Sequence, residues 1–481
     1  MASPSLRAGT PAGRWVVAAT VLGSGVVCLD STVVTVALPA IGEDLDASLS
    51  GLQWTVNAYL VTLSALLLLG GNLGDRFGRR RLFVLGLVGF SAASVLCAVA
   101  PTSAALVAAR ALQGVAGAVL VPGSLAVIAA TFHPDDRGRA IGTWSGLAGV
   151  VSSIGPFVGG WLVDAVSWRG IFLLNVPLAA IAVWIAVRHV PETRAPGEQP
   201  LDVVGAVLVT VALAAFSYAA IEHAGTGSWL AAALGAGALV AFVVVQRTSS
   251  HPMLPLDVFR SAQFTGTNLT TLAVYAGLGG ALFLLVLRLQ LSLGYSALEA
   301  GAASVPFTVL MLLLSPTAGQ VGQRVGARWP LTIGPFVSAA GIALLSGVAP
   351  GDSYTTAVLP GVLVFGLGMS ITVAPLTASV LAAVDDAMTG LASGVNNAVA
   401  RLANLVAVAA LPALAGIATD GDVAASLDDG YPTALRIAAA VTAAGGVVAF
   451  LLVRRTAPVE PAPQASVFQS CQDPGVLTES R

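Results

Sequence analysis

Long apolar runs recur from one end of the chain to the other, and they restrict the possible fold more than any other feature of the sequence. A helix needs about 20 predominantly apolar residues to cross the hydrocarbon core of a bilayer, and the runs reach that length. Short segments of alternating polarity, which are typical of membrane β-barrels, are absent. The sequence therefore predicts an all-α, polytopic membrane protein, although 481 residues would suggest about three domains in a soluble protein.

Polar residues divide the apolar runs into fourteen segments. We predict transmembrane helices over residues 15–38, 52–73, 82–100, 103–126, 140–163, 170–188, 203–221, 229–246, 264–288, 299–322, 330–349, 356–381, 389–416 and 433–453. Because the number of helices is even, both termini are expected on the same side of the membrane.

The distribution of arginine indicates which side that is. All 22 basic residues are arginine, and alternate connections between the predicted helices carry most of them: Arg7, Arg14, Arg76, Arg79, Arg80, Arg81, Arg137, Arg139, Arg188, Arg194, Arg247, Arg260, Arg324, Arg328, Arg454 and Arg455. The opposite connections carry essentially one, Arg169, and two of them are acidic, at residues 42–51 and 418–430. Positive charge is retained in the cytoplasm, so we expect a multi-pass protein of the cytoplasmic (inner) membrane with both termini inside.

Other bulk properties exclude several functions. The net charge of −2 gives no indication of nucleic-acid binding, and three scattered cysteines provide neither a disulfide framework nor a metal cluster. The sequence contains no nucleotide-binding loop, so the chain is not expected to be an ATP-driven pump. We expect neither an enzyme nor a cofactor-binding protein. The Pro-rich, polar residues 456–481 are expected to form a disordered cytoplasmic tail.

A short motif occurs twice at corresponding positions. "GNLGDRFGRR" at 71–80 aligns with "GQVGQRVGAR" at 319–328, and each lies between the second and third helices of a group of six. We therefore predict two parallel six-helix bundles, residues 1–190 and 261–455, joined by two additional transmembrane helices within 191–260. Parallel repeats of this kind are typical of alternating-access carriers whose binding site lies between the repeats.

The first copy of the motif resembles the G-x-L-x-D-R-x-G-R-R signature of the major facilitator superfamily. Seven further segments resemble, in the same order, motifs of its 14-helix drug:proton antiporter branch: "LDSTVVTVALP" (29–39), "RALQGVAGA" (110–118), "GLAGVVSSIGPFVGGWL" (146–162), "WRGIFLLNVP" (168–177), "LDVVG" (201–205), "QLSLGYSALEAG" (290–301) and "GVNNAVARL" (394–402). The resemblance covers nearly the whole chain and implies the major facilitator fold. Two positions depart from it: Thr35 stands where the family commonly has Asn, and Gly170 where it commonly has an aromatic residue.

The resemblance also implies which residues control the conformational change. In the family, the charged hairpin helps to latch the two halves together, and the helix-5 motif of antiporters is thought to act as a pliable seal. The matching residues are Asp75, Arg76, Gly78 and Arg80 in the hairpin and Gly155, Pro156, Gly159 and Gly160 in the fifth helix. The residues alone also allow a plain cytoplasmic anchor for the hairpin and ordinary tight packing for the glycines.

Asp30 is the only carboxylate deep inside a predicted helix, and charges in the hydrocarbon region are candidates for function. It precedes Pro39 by nine residues, which places it about 13 Å below the outer end of the first helix. Arg110 lies at a similar depth in the fourth helix. A carboxylate that alternates between a dry and an arginine-paired or wet environment can take up and release a proton. In the family the matching Asp and Arg are linked to proton coupling; a static structural ion pair is the alternative.

Six polar or aromatic side chains are candidate substrate-binding residues: Trp54, Asn57, Gln113, Trp144, Asn397 and Arg401. Arg401 has no acid within the predicted C-terminal helices, so either carbonyls and asparagines satisfy it or an anionic group of the substrate does. Arg288 is expected at the outer end of the ninth helix, where its long side chain can reach the membrane surface.

The segment "AGAASVPFTVLMLLLSPT" of the tenth predicted helix contains no acid. Family members that export divalent cationic dyes often carry an extra acid in that helix. Its absence favours a neutral, zwitterionic or anionic amphiphile as the substrate.

These features together predict a monomeric, proton-coupled antiporter that exports amphipathic small molecules such as drugs, antibiotics or secondary metabolites. Its energy source would be the proton gradient rather than a cofactor, and its partners would be the substrate, protons and the lipid bilayer. Two alternatives remain open: a proton-coupled symporter that imports a nutrient or an anion, and a membrane sensor that transports nothing.

Overall fold

The computed structural model describes residues 6–454 apart from residues 8, 195–200, 223–225, 386–387 and 419–422. The described residues form sixteen α-helices: α1 (Pro11–Leu45), α2 (Leu49–Phe77), α3 (Arg79–Ala98), α4 (Ser103–Thr131), α5 (Pro134–Ala165), α6 (Arg169–Leu173), α7 (Asn175–His189), α8 (Val203–Ile221), α9 (Thr226–Thr248), α10 (Ala262–Leu287), α11 (Ala297–Ala303), α12 (Val305–Val325), α13 (Arg328–Leu345), α14 (Leu359–Leu381), α15 (Thr389–Leu414) and α16 (Val423–Leu452). A 3₁₀ turn at Leu256–Arg260 and π-helical turns at Arg288–Ser292 and Tyr354–Val358 adjoin them.

Each of the fourteen predicted segments coincides with one helix or with two consecutive helices, which confirms the all-α membrane architecture. Thirteen helical segments in the described part of the chain are long and apolar enough to cross a bilayer, and α5 is a further helix of 32 residues in the expected position. Two predicted helices are divided, at Leu174 and at Ser304. Pro177 and Pro306 follow these breaks, and each lacks the N–H group that would continue the helical hydrogen bonding.

The last helix begins earlier than predicted. α16 starts at Val423 rather than at residue 433 and continues through Pro432, and Asp428 in its second turn forms an ion pair with Arg288. Arg288 therefore does not reach the membrane surface: it is 2% exposed, and its Nη2 also donates to the carbonyl oxygen of Val348 at 3.1 Å. The acidic sequence before residue 433 resembles a loop, but its carboxylate neutralises a buried cation.

Small residues set the distances between neighbouring helices. A Cβ at Gly70 of α2 would lie 2.3 Å from the carbonyl oxygen of Ala118 in α4, and a Cβ at Gly341 of α13 would lie 2.2 Å from the backbone nitrogen of Phe365 in α14. Transmembrane backbones can approach this closely only where side chains are small. We refer to α1–α7 as the first bundle and α10–α16 as the second bundle; α8 and α9 pack against each other, and α8 packs against α2. The exact division at residues 190 and 260 stays a prediction, and the predicted tail at 456–481 lies outside the described residues.

At one end of the molecule, which we call the arginine-poor end and which contains Asp44, Asp164 and Ala297, α5 of the first bundle packs against α11 of the second. There α5 and α11 approach so closely that a Cβ at Gly160 would lie 2.5 Å from the carbonyl oxygen of Ala297. The Asp164 carboxylate accepts hydrogen bonds from the backbone N–H groups of Ala297 and Leu298 at 3.2 and 2.8 Å. This end of the interface is closed.

The opposite end, which we call the arginine-rich end, contains the hairpin from Arg76 to Arg81 and the α7 terminus at Arg188. Here α5 is uncovered, because no heavy atom would lie within 4 Å of a Cβ at Gly142 or Gly146. α5 is thus packed against the second bundle at the arginine-poor end and uncovered toward the arginine-rich end.

Candidate functional site

Asp30 lies at the centre of a buried hydrogen-bond network in the first bundle. Its side chain is shielded from solvent, and its Oδ2 accepts a hydrogen bond from Arg110 Nη1 at 2.5 Å. Its Oδ1 accepts from Gln113 Nε2 and from Asn175 Nδ2, each at 2.9 Å. A buried carboxylate needs this set of charge-assisted partners, since an unpaired charge in a medium of low dielectric constant is strongly unfavourable.

Arg110 is fixed from several directions. Its Nε donates to the carbonyl oxygen of Thr55 at 3.1 Å, and its Nη1 also donates to Gln113 Oε1 at 2.7 Å. Its guanidinium carbon lies 4.2 Å from the centre of the Tyr59 ring and 5.8 Å from that of Phe172. A cation over an aromatic face is further stabilised when both are desolvated. The structure thus brings together Asp30, Arg110 and Gln113, which were selected from the sequence.

Two partners in this network were not selected from the sequence. Asn175, the first residue of α7, donates to Asp30 and also to Ser94 Oγ at 3.2 Å, and Ser94 of α3 accepts a further hydrogen bond from Gln113 at 2.8 Å. Asn175 stands in the "NVP" of a segment that resembles the family, so a signal existed for it. Ser94 lies in an ordinary apolar run, and nothing in the sequence distinguishes it.

A cavity of about 670 Å³ lies between the two bundles, with residues of α1, α2, α4, α5, α10, α12, α14 and α15 in its wall. Arg110 reaches this wall, and Thr35, Tyr59, Phe307 and Asn404 are among its other residues. Ligand pockets for small molecules commonly measure about 300–1,000 Å³ and are mostly apolar with a few polar groups. The cavity has the size and character of such a site, and the buried network lies directly behind one side of it.

None of the six predicted substrate-binding residues forms part of the wall of this cavity: Gln113 lies in the network behind it, Arg401 lies near it, and the other four lie away from it. The Trp54 ring packs against Tyr218 of α8 at 6.4 Å, and Trp144 Nε1 donates to the Ser24 hydroxyl at 3.1 Å. Asn57 is completely buried, and neither of its amide atoms has a hydrogen-bond partner among the described residues. Asn397 is exposed and donates to the carbonyl oxygen of Ser393 in its own helix at 3.0 Å.

Arg401 lies on α15, one helical turn before the cavity residue Asn404. Its Nε is buried and has no hydrogen-bond partner among the described residues. Its charge interacts with Cys28, Tyr59 and Tyr275, which belong to α1, α2 and α10. Arg401 is therefore a cation close to the interface of the two bundles.

The charged hairpin is held within the first bundle. Asp75 pairs with Arg79 at 2.7 Å, while Arg80 and Arg81 lie 3.7 and 3.8 Å from the Glu192 carboxylate beyond the end of α7. Gly78 connects α2 to α3 with φ of 110°, which strongly favours glycine. Arg76 lies at the end of α2 with its guanidinium carbon 5.4 Å from the Phe77 ring centre. In this conformation the hairpin residues contact their own bundle.

The helix-5 motif lies where α5 meets both α1 and the second bundle. A Cβ at Gly155 would lie 2.0 Å from Thr32 Oγ1, and a Cβ at Gly159 would lie 2.5 Å from the Val33 side chain. Gly160 faces α11, and Pro156 lines the cavity. The predicted seal residues therefore separate the cavity from the arginine-poor end.

Comparison with known proteins agrees with this architecture. The profile of the Major Facilitator Superfamily matches the chain twice, over residues 20–283 and 267–473. The probable actinorhodin transporter of Streptomyces coelicolor is 37% identical over 442 residues, which are 88% of this chain and 76% of that protein. The tetracenomycin C resistance and export protein of Streptomyces glaucescens is 34% identical over 407 residues, which are 82% and 74% of the two chains.

A solved structure shows the same fold. A bacterial homologue of the human lysosomal transporter Spinster, in an inward-facing and unoccupied conformation, aligns with a TM-score of 0.67 at 16% identity and covers 93% of this chain and 98% of that one. The double profile match and the similarity to relatives over most of the sequence show that the chain belongs to the Major Facilitator Superfamily and is a membrane transporter rather than an enzyme.

Proposed function

We propose that this protein exports amphipathic small molecules across the cytoplasmic membrane in exchange for protons. The two relatives are named for the transport of actinorhodin and for resistance to and export of tetracenomycin C. The largely apolar wall of the cavity suits a substrate with an extended hydrophobic body. Compounds of this drug-like class are the substrates we assign to the chain.

The Asp30–Arg110 pair is the observation on which the coupling proposal depends. Arg110 forms part of the cavity wall, whereas Asp30 lies behind it at 2.5 Å. A proton on Asp30 would cancel the negative charge that holds Arg110, so the guanidinium would be released toward the cavity. Proton binding would thereby change the charge that the substrate site presents, and this difference between the two protonation states couples proton and substrate binding.

The arginine-rich end is assigned to the cytoplasm by its positive charge. The uncovered face of α5 at Gly142 and Gly146 then lies on the cytoplasmic side, and the contact between Gly160 and Ala297 closes the outer side. A substrate from the cytoplasm would enter this conformation while Asp30 is ionised. Rocking of the bundles would expose the site outside, where a proton would bind Asp30 and the substrate would leave.

The sign of proton movement tests this cycle. Purified protein is reconstituted into proteoliposomes that contain a pH-sensitive dye, and an aromatic antibiotic is added outside without any imposed gradient. Antiport predicts that the lumen becomes alkaline as substrate enters and protons leave, whatever the orientation of the protein. Acidification would instead establish symport, and specific binding without a pH change would favour a sensor. Liposomes without protein provide the control.

A further inference from the structure

Ser315 Oγ of α12, at the cavity wall, has no hydrogen-bond partner among the described residues, and neither do two buried polar atoms of α15 at or near the cavity. They are Nε of Arg401 and Oδ1 of Asn404, three residues apart on α15. Residues at this spacing share one side of a helix, and Asn404 lines the cavity. An amide on the wall and a cation one turn before it on the same helix, each with a buried atom that has no partner among the described residues, form an incomplete polar site.

The charge of Arg401 is not neutralised by an acid in the described part of the chain. Its charge acts on the thiol of Cys28 and on the phenols of Tyr59 and Tyr275. The two deeply buried arginines, Arg110 and Arg288, are by contrast each paired with an aspartate. Among the described cavity residues there is likewise no Asp or Glu.

We propose that the exported substrate carries an acidic group, a carboxylate or phenolate, that pairs with Arg401 while Asn404 contributes a hydrogen bond. This inference rests on the proposed export function and specifies its substrate class. The apolar body of the ligand would lie against residues such as Leu282, Phe307 and Met311. The Nε of this half-buried arginine has no partner among the described residues because its counter-ion arrives with the ligand, and the bound anion supplies the hydrogen bond that this buried nitrogen lacks.

A pair of ligands with the same aromatic body, one an anion and the other its neutral methyl ester, tests the proposal. Binding of anthracene-9-carboxylate and of its methyl ester to the detergent-purified protein is measured by ligand fluorescence. The wild type should bind the acid at least about 10-fold more tightly than the ester. A hydrogen bond to a charged group typically contributes more to the affinity than this tenfold difference requires. Arg401→Gln should reduce this ratio to near one, and Arg401→Lys should retain part of it.

Arg436→Gln is the matched control, because Arg436 is an exposed arginine of the same bundle. Its acid-to-ester ratio should equal that of the wild type. Equal wild-type affinities for acid and ester would overturn the proposal, as would an undiminished preference in Arg401→Gln. A third outcome would also overturn it: 200 mM chloride abolishes binding of the acid, and the site binds inorganic anions as well as it binds the aromatic acid. Arg401 would then be an inorganic-anion site.

Failure of the inference and failure of the export proposal give different results. An Arg401-dependent preference for the acid, without alkalinisation of proteoliposomes, would support the ligand class and contradict proton antiport. Alkalinisation driven equally by acid and ester, with no effect of Arg401→Gln, would support antiport and contradict the ligand class.

Discussion

The two bundles place arginines beside the same cavity but neutralise them differently. In the first bundle, Arg110 is 1% exposed and donates to Asp30, Gln113 and the Thr55 carbonyl. In the second bundle, Arg401 is half-buried and its Nε has no partner among the described residues. The first guanidinium is part of a completed network, whereas the second retains hydrogen-bonding capacity. In the proposed mechanism the difference follows from their tasks, since the first arginine responds to a proton and the second to a ligand.

Arg288 shows that this difference does not separate the bundles as a whole. It is 2% exposed, lies in the second bundle and is paired with Asp428 and with the carbonyl oxygen of Val348. Both bundles can therefore neutralise a buried arginine. The unused hydrogen-bonding capacity of Arg401 is therefore a property of its position near the cavity.

The largest effect is expected from Asp30→Asn. It should abolish proton-driven efflux, because an amide cannot exchange the proton, and it should destabilise the protein by about 3–5 kcal/mol, because Arg110 loses its buried counter-ion. Efflux from cells and the thermal unfolding midpoint in detergent measure the two effects. Asp257→Asn, at an exposed carboxylate outside the network, is the control.

A double variant separates the structural contribution of Asp30 from its role in coupling. Asp30→Asn combined with Arg110→Gln removes both charges, so much of the lost stability should return while proton-driven efflux stays absent. Normal efflux in Asp30→Asn would show that the pair is a static structural element and would remove the contrast between the two arginines.

The second prediction concerns the membrane potential and depends on the charge of the ligand that Arg401 is proposed to bind. With one proton imported per cycle, export of a monovalent anion moves two positive charge equivalents inward, whereas export of a neutral ester moves one. An inside-negative potential of 100 mV should therefore favour export of the acid over the ester by about 2.3 kcal/mol, or about 50-fold in accumulation. Proteoliposomes with a potassium gradient and valinomycin provide the measurement, and equal responses of the two ligands would contradict it.

The third prediction tests Arg288, the buried arginine of the second bundle that is paired with an aspartate. Asp428→Asn should lower stability by about 2 kcal/mol, because Arg288 stays buried with only a carbonyl, a hydroxyl and the Tyr431 ring as partners among the described residues. Proton-driven transport should continue, because this pair lies at the arginine-poor end, away from the cavity. The neighbouring Asp429→Asn is the matched control, since Asp429 is exposed. Loss of coupling in Asp428→Asn, with expression intact, would give the second bundle a proton site as well.

The sequence predicted the helices well because bilayer thickness imposes one length on every span, and this requirement is visible in composition alone. It predicted the proximity of Asp30 and Arg110 because the depth of a residue follows from its distance to the helix end. The start of α16 was missed because Asp428 and Pro432 are typical of loops, and only the tertiary contact with Arg288 explains their place in a helix.

The rotation of each helix about its axis was much harder to predict. In α2 the cavity wall contains Val56 and Tyr59, whereas the predicted Trp54 and Asn57 face elsewhere. Successive residues differ by about 100° around a helix, so an error of one position moves a side chain from the cavity to a neighbouring helix. Ser94 and Asn175 meet Asp30 because α3 and α7 are packed in one particular way, and hydropathy does not contain that information.

The smallest expected effect is a gain in stability, opposite in sign to the loss expected for Asp30→Asn. It tests the difference between Arg110 and Arg401 most directly. Arg401→Met keeps an unbranched apolar stem but removes the charge, so it should raise the free energy of unfolding in the absence of ligand by about 1 kcal/mol, because a buried Nε without a partner disappears. Arg436→Met, at an exposed arginine, should change stability by less than about half that amount. Thermal unfolding of both variants in detergent, with and without anthracene-9-carboxylate, is the measurement. The acid should stabilise the wild type and the Arg436 variant but not the Arg401 variant, whereas a marked loss of stability in Arg401→Met alone would show that the protein itself already satisfies this guanidinium.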